Sequence, residues 1–350
     1  MKKLIVILAV VLGISSLPCL AARPAPDANM ILIPAGTFQM GDSLDADSDA
    51  LPVHTVTLSS FYMGKYDITN RQYYSFLNSA AVKVVDGVVY ESTDNDNSYP
   101  YCDTSTAGTD SQIAYNGGVF SVLTKGTRSM VNDPMVVVSW YGAAAYCNWR
   151  SRQDGYRPCY NPATWDCNFS NNGYHLPTEA QWEYAARGSF PGYRFPWGDT
   201  ITHSQANYHN VGGDYIYDLG GLPWGYDKIW SSDGIIPFTS PVGRFAANGY
   251  GLYDMAGNIW QWCNDWYSST YYSSSPPTNP TGPASGSYPV LRGGSWRDSA
   301  LDCRVASRYY YDSNDRYPSL SPTKSGQRRS IYGTNDRYIT YGFRISLDSN

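Results

Sequence analysis

Histidine is scarce in this chain of 350 residues. There are four, His54, His175, His203 and His209, scattered along the sequence. No Ser-His-Asp arrangement can be assembled from them, which removes that class of hydrolase. Phosphate loops and dinucleotide fingerprints are missing too, so nucleotide chemistry has no motif to rest on. No paired C-x-x-C spacing suggests zinc. Beyond the N-terminus no apolar run is long enough to span a membrane. There is no repeat period and no linker strong enough to split the chain into two domains. Charged residues make up only 16% of the chain, and the net charge of −5 gives no reason to expect nucleic acid or an anionic membrane as partner. His54 lies alone in an alternating segment, HTVTL, and reads as structural.

What is present is globular. Hydrophobic residues are 42% of the chain, enough for an ample core. There are 32 Tyr, 11 Trp and 32 Gly, the composition of a loop-rich fold stiffened by aromatic packing. Tyr and Trp also make good binding surfaces, because they offer large area at low entropic cost. Charge is uneven: Leu291–Ile345 carries ten Lys or Arg against five Asp or Glu.

The N-terminus reads as an export signal, residues 1–22. Lys2 and Lys3 precede the apolar run Leu4–Leu12, and Leu20-Ala21-Ala22 fits a cleavage site. Lipid anchoring at Cys19 is the weaker reading, since Pro18 before the cysteine suits a lipoprotein box poorly. Export means a secreted or periplasmic protein. Residues 23–29 form a short linker. Six cysteines follow the signal: Cys102, Cys147, Cys159, Cys167, Cys263 and Cys303. An oxidising compartment permits disulfides. Cys159 and Cys167 bracket a short loop and form the expected local bridge.

Three helices announce themselves. Thr69-Asn70-Arg71-Gln72 and Thr178-Glu179-Ala180-Gln181 are capping boxes, and Gly188 stops the second helix. Ser139 caps WYGAAAYCNWR. MILIPAGTFQMGD reads as a strand pair and HTVTL as another strand. Residues 82–134 form a polar insertion on the same domain. After Gly188 the chain is loops and short strands, which need anchors.

Several segments occur in one order: MILIPAGTFQMGD, YDITNRQYYSFL, PMVVVSWYGAAAYCNW, YHLPTEAQWEYAARG, FPWGD, NGYGLYDMAGNIWQWCNDWY, LRGGSWRDSALDCR and YGFRI. Together they resemble the formylglycine-generating enzyme, or sulfatase-modifying-factor, family. The resemblance covers nearly all of Met30–Ile345. It implies a single compact, loop-rich α+β domain over residues 30–347, related to C-type-lectin-like folds. It also implies an oxidase that uses copper(I) and O2 to convert a sulfatase cysteine to formylglycine. Two cysteines hold the copper in that family. Here Cys303 matches the second, and Asp298 stands at the first. Ser295 inherits a place in the substrate pocket. A carboxylate is a poor ligand for soft copper(I). The resemblance therefore implies either a divergent oxidase acting on a sulfatase-like polypeptide or a non-oxidase binding or structural module. For Cys303 it leaves three states open: a disulfide with Cys263, a free structural thiol, or a redox or metal thiol. Asp298 as a general base is a further reading. The iron-dependent sulfoxide synthases share the fold but add a histidine-rich domain, absent here.

The resemblance also implies calcium. Asp254 and Gln261 would give side-chain oxygens, and Gly257 and Ile259 carbonyls. The family has Asn first and Glu last, so the exchange keeps one negative charge. A second set would use Asn207, the Tyr208 carbonyl, Asp233 and the Ile235 carbonyl. Finally, residues 309–338 are rich in Tyr, Ser, Asn, Asp and Arg. This composition suits a ligand surface formed by Trp296, Tyr309, Tyr310 and Tyr311, for a protein or glycan. Family relatives diversified by retroelements bind ligands with this segment. A plain surface insertion is the alternative.

Overall fold

The computed structural model describes residues 25–190, 192–221, 225–310 and 339–349. Residues 1–22, read above as an export signal, and most of the Tyr-rich tail, Tyr311 included, lie outside them.

Both capping boxes form. The Thr69 hydroxyl accepts from the Gln72 amide, and Gln72 Oε1 accepts from the Thr69 amide at 2.9 Å. The resulting helix α1, Asn70–Ser79, buries Asn70, Tyr73, Phe76 and Leu77, the one-face spacing of an amphipathic helix. Helix α2, Trp140–Gln153, starts where Ser139 Oγ accepts from the Gly142 amide at 2.9 Å. It is buried on nearly every face and runs through the core. Gly142 lets it approach Tyr101, whose carbonyl would lie 2.2 Å from an added Cβ. Helix α3, Glu179–Ala186, is capped by Thr178. Gly188 ends it with a φ of +57°, a conformation glycine adopts at little cost.

Two sheets organise the rest. In the first, Phe61–Gly64 lies between Met30–Ile33 and Ser346–Asp348, antiparallel to both. The second has the order Arg308–Tyr310, Pro289–Arg292, Trp260–Trp266, Tyr341–Gly342, with the last pairing parallel. The expectation of a strand pair within Met30–Asp42 needs correction. Met30–Ile33 and Gly36–Met40 do not pair with each other. The first joins Phe61–Gly64, and the second pairs with His54–Leu58. Pro34-Ala35 between them keeps the chain extended instead of turning it back.

The segment 82–134 is a series of hairpins. Val82–Val85, Val88–Glu91 and Pro100–Asp103 form one sheet, and Ile113–Asn116 pairs with Val119–Val122. Asp86 and Gly87 both have positive φ, the two-residue turn suited to a tight hairpin. The largest apolar cluster gathers α1, α2 and this excursion around Tyr73, Phe76, Tyr146 and Phe343. A second packs α3 against the first sheet through Trp182, Phe61 and Met63. Few helices, many short strands and long loops around shared cores make the α+β domain that was expected.

Candidate functional site

The strand Pro289–Arg292 ends in Gly293 and Gly294, with φ of +101° and +70°. Gly294 has no room for a side chain: an added Cβ would sit 2.7 Å from Cys303 Sγ. The turn presents Ser295, whose hydroxyl donates to Asp298 Oδ2. Trp260 Nε1 donates to the same oxygen at 2.8 Å. The Arg297 amide donates to Ser295 Oγ at 3.2 Å, and the His209 amide to the Asp298 carbonyl at 2.9 Å. So Ser295, Trp260, Asp298 and the His209 backbone form one cluster. Ser295 is fully buried and Asp298 is 9% exposed. Asp298 Oδ2 thus accepts from two donors, Ser295 Oγ and Trp260 Nε1.

Cys303 lies beneath the turn, fully buried among Phe195, Ile201, Tyr208 and Ala256. Burial pushes its thiol well above the ordinary range, and Asp302, Asp298 and Asp218 add to the shift. Of the three states left open for Cys303, the structure has the free thiol and not the bridge to Cys263. Cys263 belongs to a different apolar cluster with Met63, Val290 and Val305, and all six described cysteines are free thiols. Cys159 and Cys167 are free as well, but their thiols touch. The hydrogen bond from Cys167 brings the Cys159 thiol down to about 7.

The expected ligand surface also changes. Trp296 is 1% exposed and packs on Tyr226 and Phe238 with ring centroids 5.5 and 5.1 Å away. It is core, because the Gly-Gly turn directs the next residues inward. Tyr309 is half-buried and stacks on Trp260 at 5.0 Å. Tyr310 is 40% exposed and stacks on Tyr267 at 3.8 Å, with Tyr288 beside it.

The loop from Asp254 to Gln261 is held by a residue to which sequence reasoning assigned no role. Arg344 is fully buried. Its Nε donates to Gln261 Oε1 at 2.6 Å, its terminal nitrogens to the Gly64 carbonyl at 3.0 Å, Asp67 Oδ1 at 2.9 Å and the Tyr253 carbonyl at 2.8 Å. Trp182 Nε1 donates to the same Gln261 oxygen at 2.7 Å, and Gln261 Nε2 donates to the Asp254 carbonyl at 2.8 Å. The available signal was an arginine inside the apolar segment YGFRI, which must find buried partners.

Residues 18–321 match the Sulfatase-modifying factor enzyme 1-like domain. The chain belongs to the sulfatase-modifying-factor family. It is 33% identical over 340 residues to a formylglycine-generating enzyme of Streptomyces coelicolor, covering 92% of this chain and 94% of that one. It is 33% identical over 290 residues to a serine/threonine-protein kinase, pkn1, of Chlamydia pneumoniae. There it covers 82% of this chain but spans only 36% of the kinase. A solved structure named Treponema denticola variable protein 1 superposes with a TM-score of 0.57 at 24% identity, covering 91% of this chain and 94% of that one. That likeness concerns the fold.

Copper and calcium were expectations of the sequence resemblance, and the residues present can be tested against both. Copper does not fit the Asp298–Cys303 pair. One donor is a carboxylate oxygen already bonded twice, and the other is a buried thiol held in its protonated form. In the Asp254–Gln261 loop Asp254 Oδ1 is buried without a partner, but Gln261 is poorly placed to join it as a calcium ligand. The Gln261 oxygen is spent on two N–H donors, and its amide nitrogen faces the Asp254 carbonyl. Flipping the amide would aim its NH2 at two other donors. The Ile259 amide also donates to the Gly257 carbonyl at 2.9 Å. The second set mixes buried and exposed residues. Asn207 is buried and donates to the Phe238 carbonyl at 2.8 Å, while Asp233 and Ile235 are exposed beside Gly126. Among the described residues no group of three His, Cys, Asp or Glu could hold a metal.

Proposed function

We propose that this chain is a non-oxidase member of the sulfatase-modifying-factor family, a binding or structural module. The observation that carries the reading is the state of the Asp298–Cys303 pair. Copper(I) oxidase chemistry needs two thiolates within reach of substrate. This pair offers a carboxylate tied to Ser295 and Trp260, and a thiol with no exposed surface. Loops that metal ions would otherwise anchor are held by buried side chains, Arg344 above all. In this reading Tyr310, Tyr267 and Tyr288 contribute to a surface for an unidentified protein or glycan, on a protein exported from its cell. No helix among the described residues is long and apolar enough to cross a membrane.

One observation favours the second reading, a divergent oxidase acting on a sulfatase-like polypeptide. Cys303 stands as a free thiol and not in a disulfide. The test is direct. Protein loaded with copper(I) under reducing conditions is incubated with O2 and a sulfatase cysteine-motif peptide. The module reading expects copper to be lost to a competing chelator and the peptide mass to stay unchanged. Conversion of the cysteine to formylglycine, abolished by Cys303→Ser, would establish the oxidase instead.

A further inference from the structure

The chain contains two Asn-x-Ser/Thr triplets, Asn168-Phe169-Ser170 and Asn279-Pro280-Thr281. That spacing is what N-linked glycosylation reads: the asparagine amide takes the sugar, and the hydroxyl two residues on is recognised with it. Both asparagines are exposed, so exposure does not separate them. Their middle residues and hydrogen bonds do.

Asn279 is excluded twice. Proline in the middle position fixes φ and bars the triplet as an acceptor. The Asn279 amide is also spent. Its Nδ2 donates to Ser59 Oγ at 3.0 Å, and its Oδ1 accepts from the Ser59 amide at 2.8 Å. This side chain clamps its own loop to Ser59.

Asn168 is arranged the other way. Its backbone is fixed, with the amide donating to the Cys159 carbonyl at 2.8 Å and the carbonyl accepting from the Asn171 amide at 3.0 Å. Its Oδ1 accepts from the Ser170 amide at 3.0 Å, which folds the side chain over its own turn. Nδ2 is left without a partner among the described residues. Ser170 is exposed, and its hydroxyl has no partner there either. Phe169 is half-buried, with its ring centroid 5.0 Å from that of the buried His175, so the bulky middle residue is held against the body of the protein. Asn148 docks the start of the loop on α2: its side chain donates to the Tyr160 carbonyl at 2.8 Å and accepts from the Tyr160 amide at 3.0 Å. Asp166 is exposed and makes no ion pair among the described residues. A free carboxylate two residues before Asn168 gives a cationic enzyme cleft a charge-assisted hold on the same loop.

We propose that Asn168 is an acceptor for an N-linked glycan, presented at the surface by the folded loop 159–173. The donor is a glycan joined through pyrophosphate to a polyprenyl lipid, and the enzyme is an oligosaccharyltransferase. The Asn168 amide nitrogen bonds to the anomeric carbon as the bond from that carbon to the pyrophosphate oxygen breaks. The lipid pyrophosphate leaves with the bonding electrons, and the amide gives one proton to a base of the transferase. Nothing is oxidised or reduced. In the cell the modification rests on the export reading, because such donors are used on the outer face of the exporting membrane. It does not depend on the choice between module and oxidase.

The folded full chain, kept reduced, is incubated with a purified bacterial oligosaccharyltransferase and its lipid-linked glycan, and is followed by intact mass and peptide mapping. A single glycan is expected, on Asn168. Asn168→Gln should abolish the mass increase, Ser170→Ala should remove most of it, and Ser170→Thr should restore it. All three changes are at exposed positions and should keep the parent's melting temperature, so that loss of transfer is not loss of fold. No transfer to the folded chain overturns the proposal, as does transfer that survives Asn168→Gln or is unaffected by Ser170→Ala. Expression of the whole sequence in an exporting host that holds the same transferase and donor tests the export reading separately. Glycan on a chain that has lost residues 1–22 supports both readings. An exported chain without glycan overturns the proposal. A chain that keeps residues 1–22 and carries no glycan overturns the export reading alone, the purified reaction having decided the acceptor.

Discussion

Asp67 and Asp254 are two carboxylates buried against each other. Asp67 is pushed up to about 8 and Asp254 to about 6, by burial first, with Asp254 adding to the shift at Asp67 and Arg344 opposing both. One oxygen of each, Asp67 Oδ2 and Asp254 Oδ1, is buried without a partner. Both folded values lie above the unfolded one, near 4. The folded protein therefore holds protons that the unfolded chain gives up. That contribution is complete below about pH 4 and is lost as pH rises through about 6 and then about 8. Melting temperature is expected to fall between pH 5 and pH 9. Asp67→Asn keeps the oxygen that accepts from Arg344 and cannot ionise, so it should flatten this decline. A profile as steep in the variant as in the parent would remove the pair as its cause. At the same scale, Gly294→Ala puts a methyl group against Cys303 Sγ with φ at +70°, and about 1–3 kcal/mol of stability should be lost in chemical denaturation. The sequence placed Ser295, Asp298 and Cys303 on one short stretch, and the structure brings them together. It hid the role of Arg344, because its partners lie on three separate segments.

Elements with local signals were readable. Thr69 and Thr178 cap the helices their four-residue patterns announce, and Thr178→Ala should cost about 1 kcal/mol, read from a denaturation midpoint. Strand partners were not readable, since pairing depends on sheet topology and not on alternation; Gly36–Met40 shows the same pattern whichever strand it joins. The loop 159–167 combines both cases. Its ends come together as the spacing suggested: Tyr160 bridges Cys167, and the Asn168 amide donates to the Cys159 carbonyl at 2.8 Å. Of the six described thiols, Cys159 alone is shifted down, and the others with a resolved shift are pushed up by burial. A low-molecular-weight disulfide should therefore oxidise Cys159 and Cys167 first. The Cys159 thiolate attacks the reagent and releases one thiol, and Cys167 then displaces the second to close the loop. Differential alkylation and mass spectrometry should find Cys102, Cys263 and Cys303 still reduced. Oxidation starting at any of those three would contradict the environments described.

At the scale of the molecule, buried arginines join distant segments. Arg292 and Arg187 both pair with Glu183, and Arg308 pairs with Glu179 through Nε at 2.6 Å. All five side chains are 6% exposed or less. Arg304 reaches back to Asp42 and Asp47. Such pairs add little over an apolar core, but breaking one strands a buried charge. Glu183→Ala should cost about 3–5 kcal/mol and behave as a folding defect in denaturant titration. The basic C-terminal segment noticed in the sequence finds its use here. Most of its described arginines serve the interior and not an acidic ligand, a choice composition cannot reveal.

The strand Phe61–Gly64 has a residue from the beginning of the domain on one side and from its end on the other. Its pairing with Ser346–Asp348 spans nearly the whole sequence. A ribosome must therefore release residue 348 before the first sheet can acquire its third strand, and loop closure over such a separation is slow. Until then the nascent chain presents an open sheet edge, and its passage to the native state is a task for whatever chaperones meet it after synthesis.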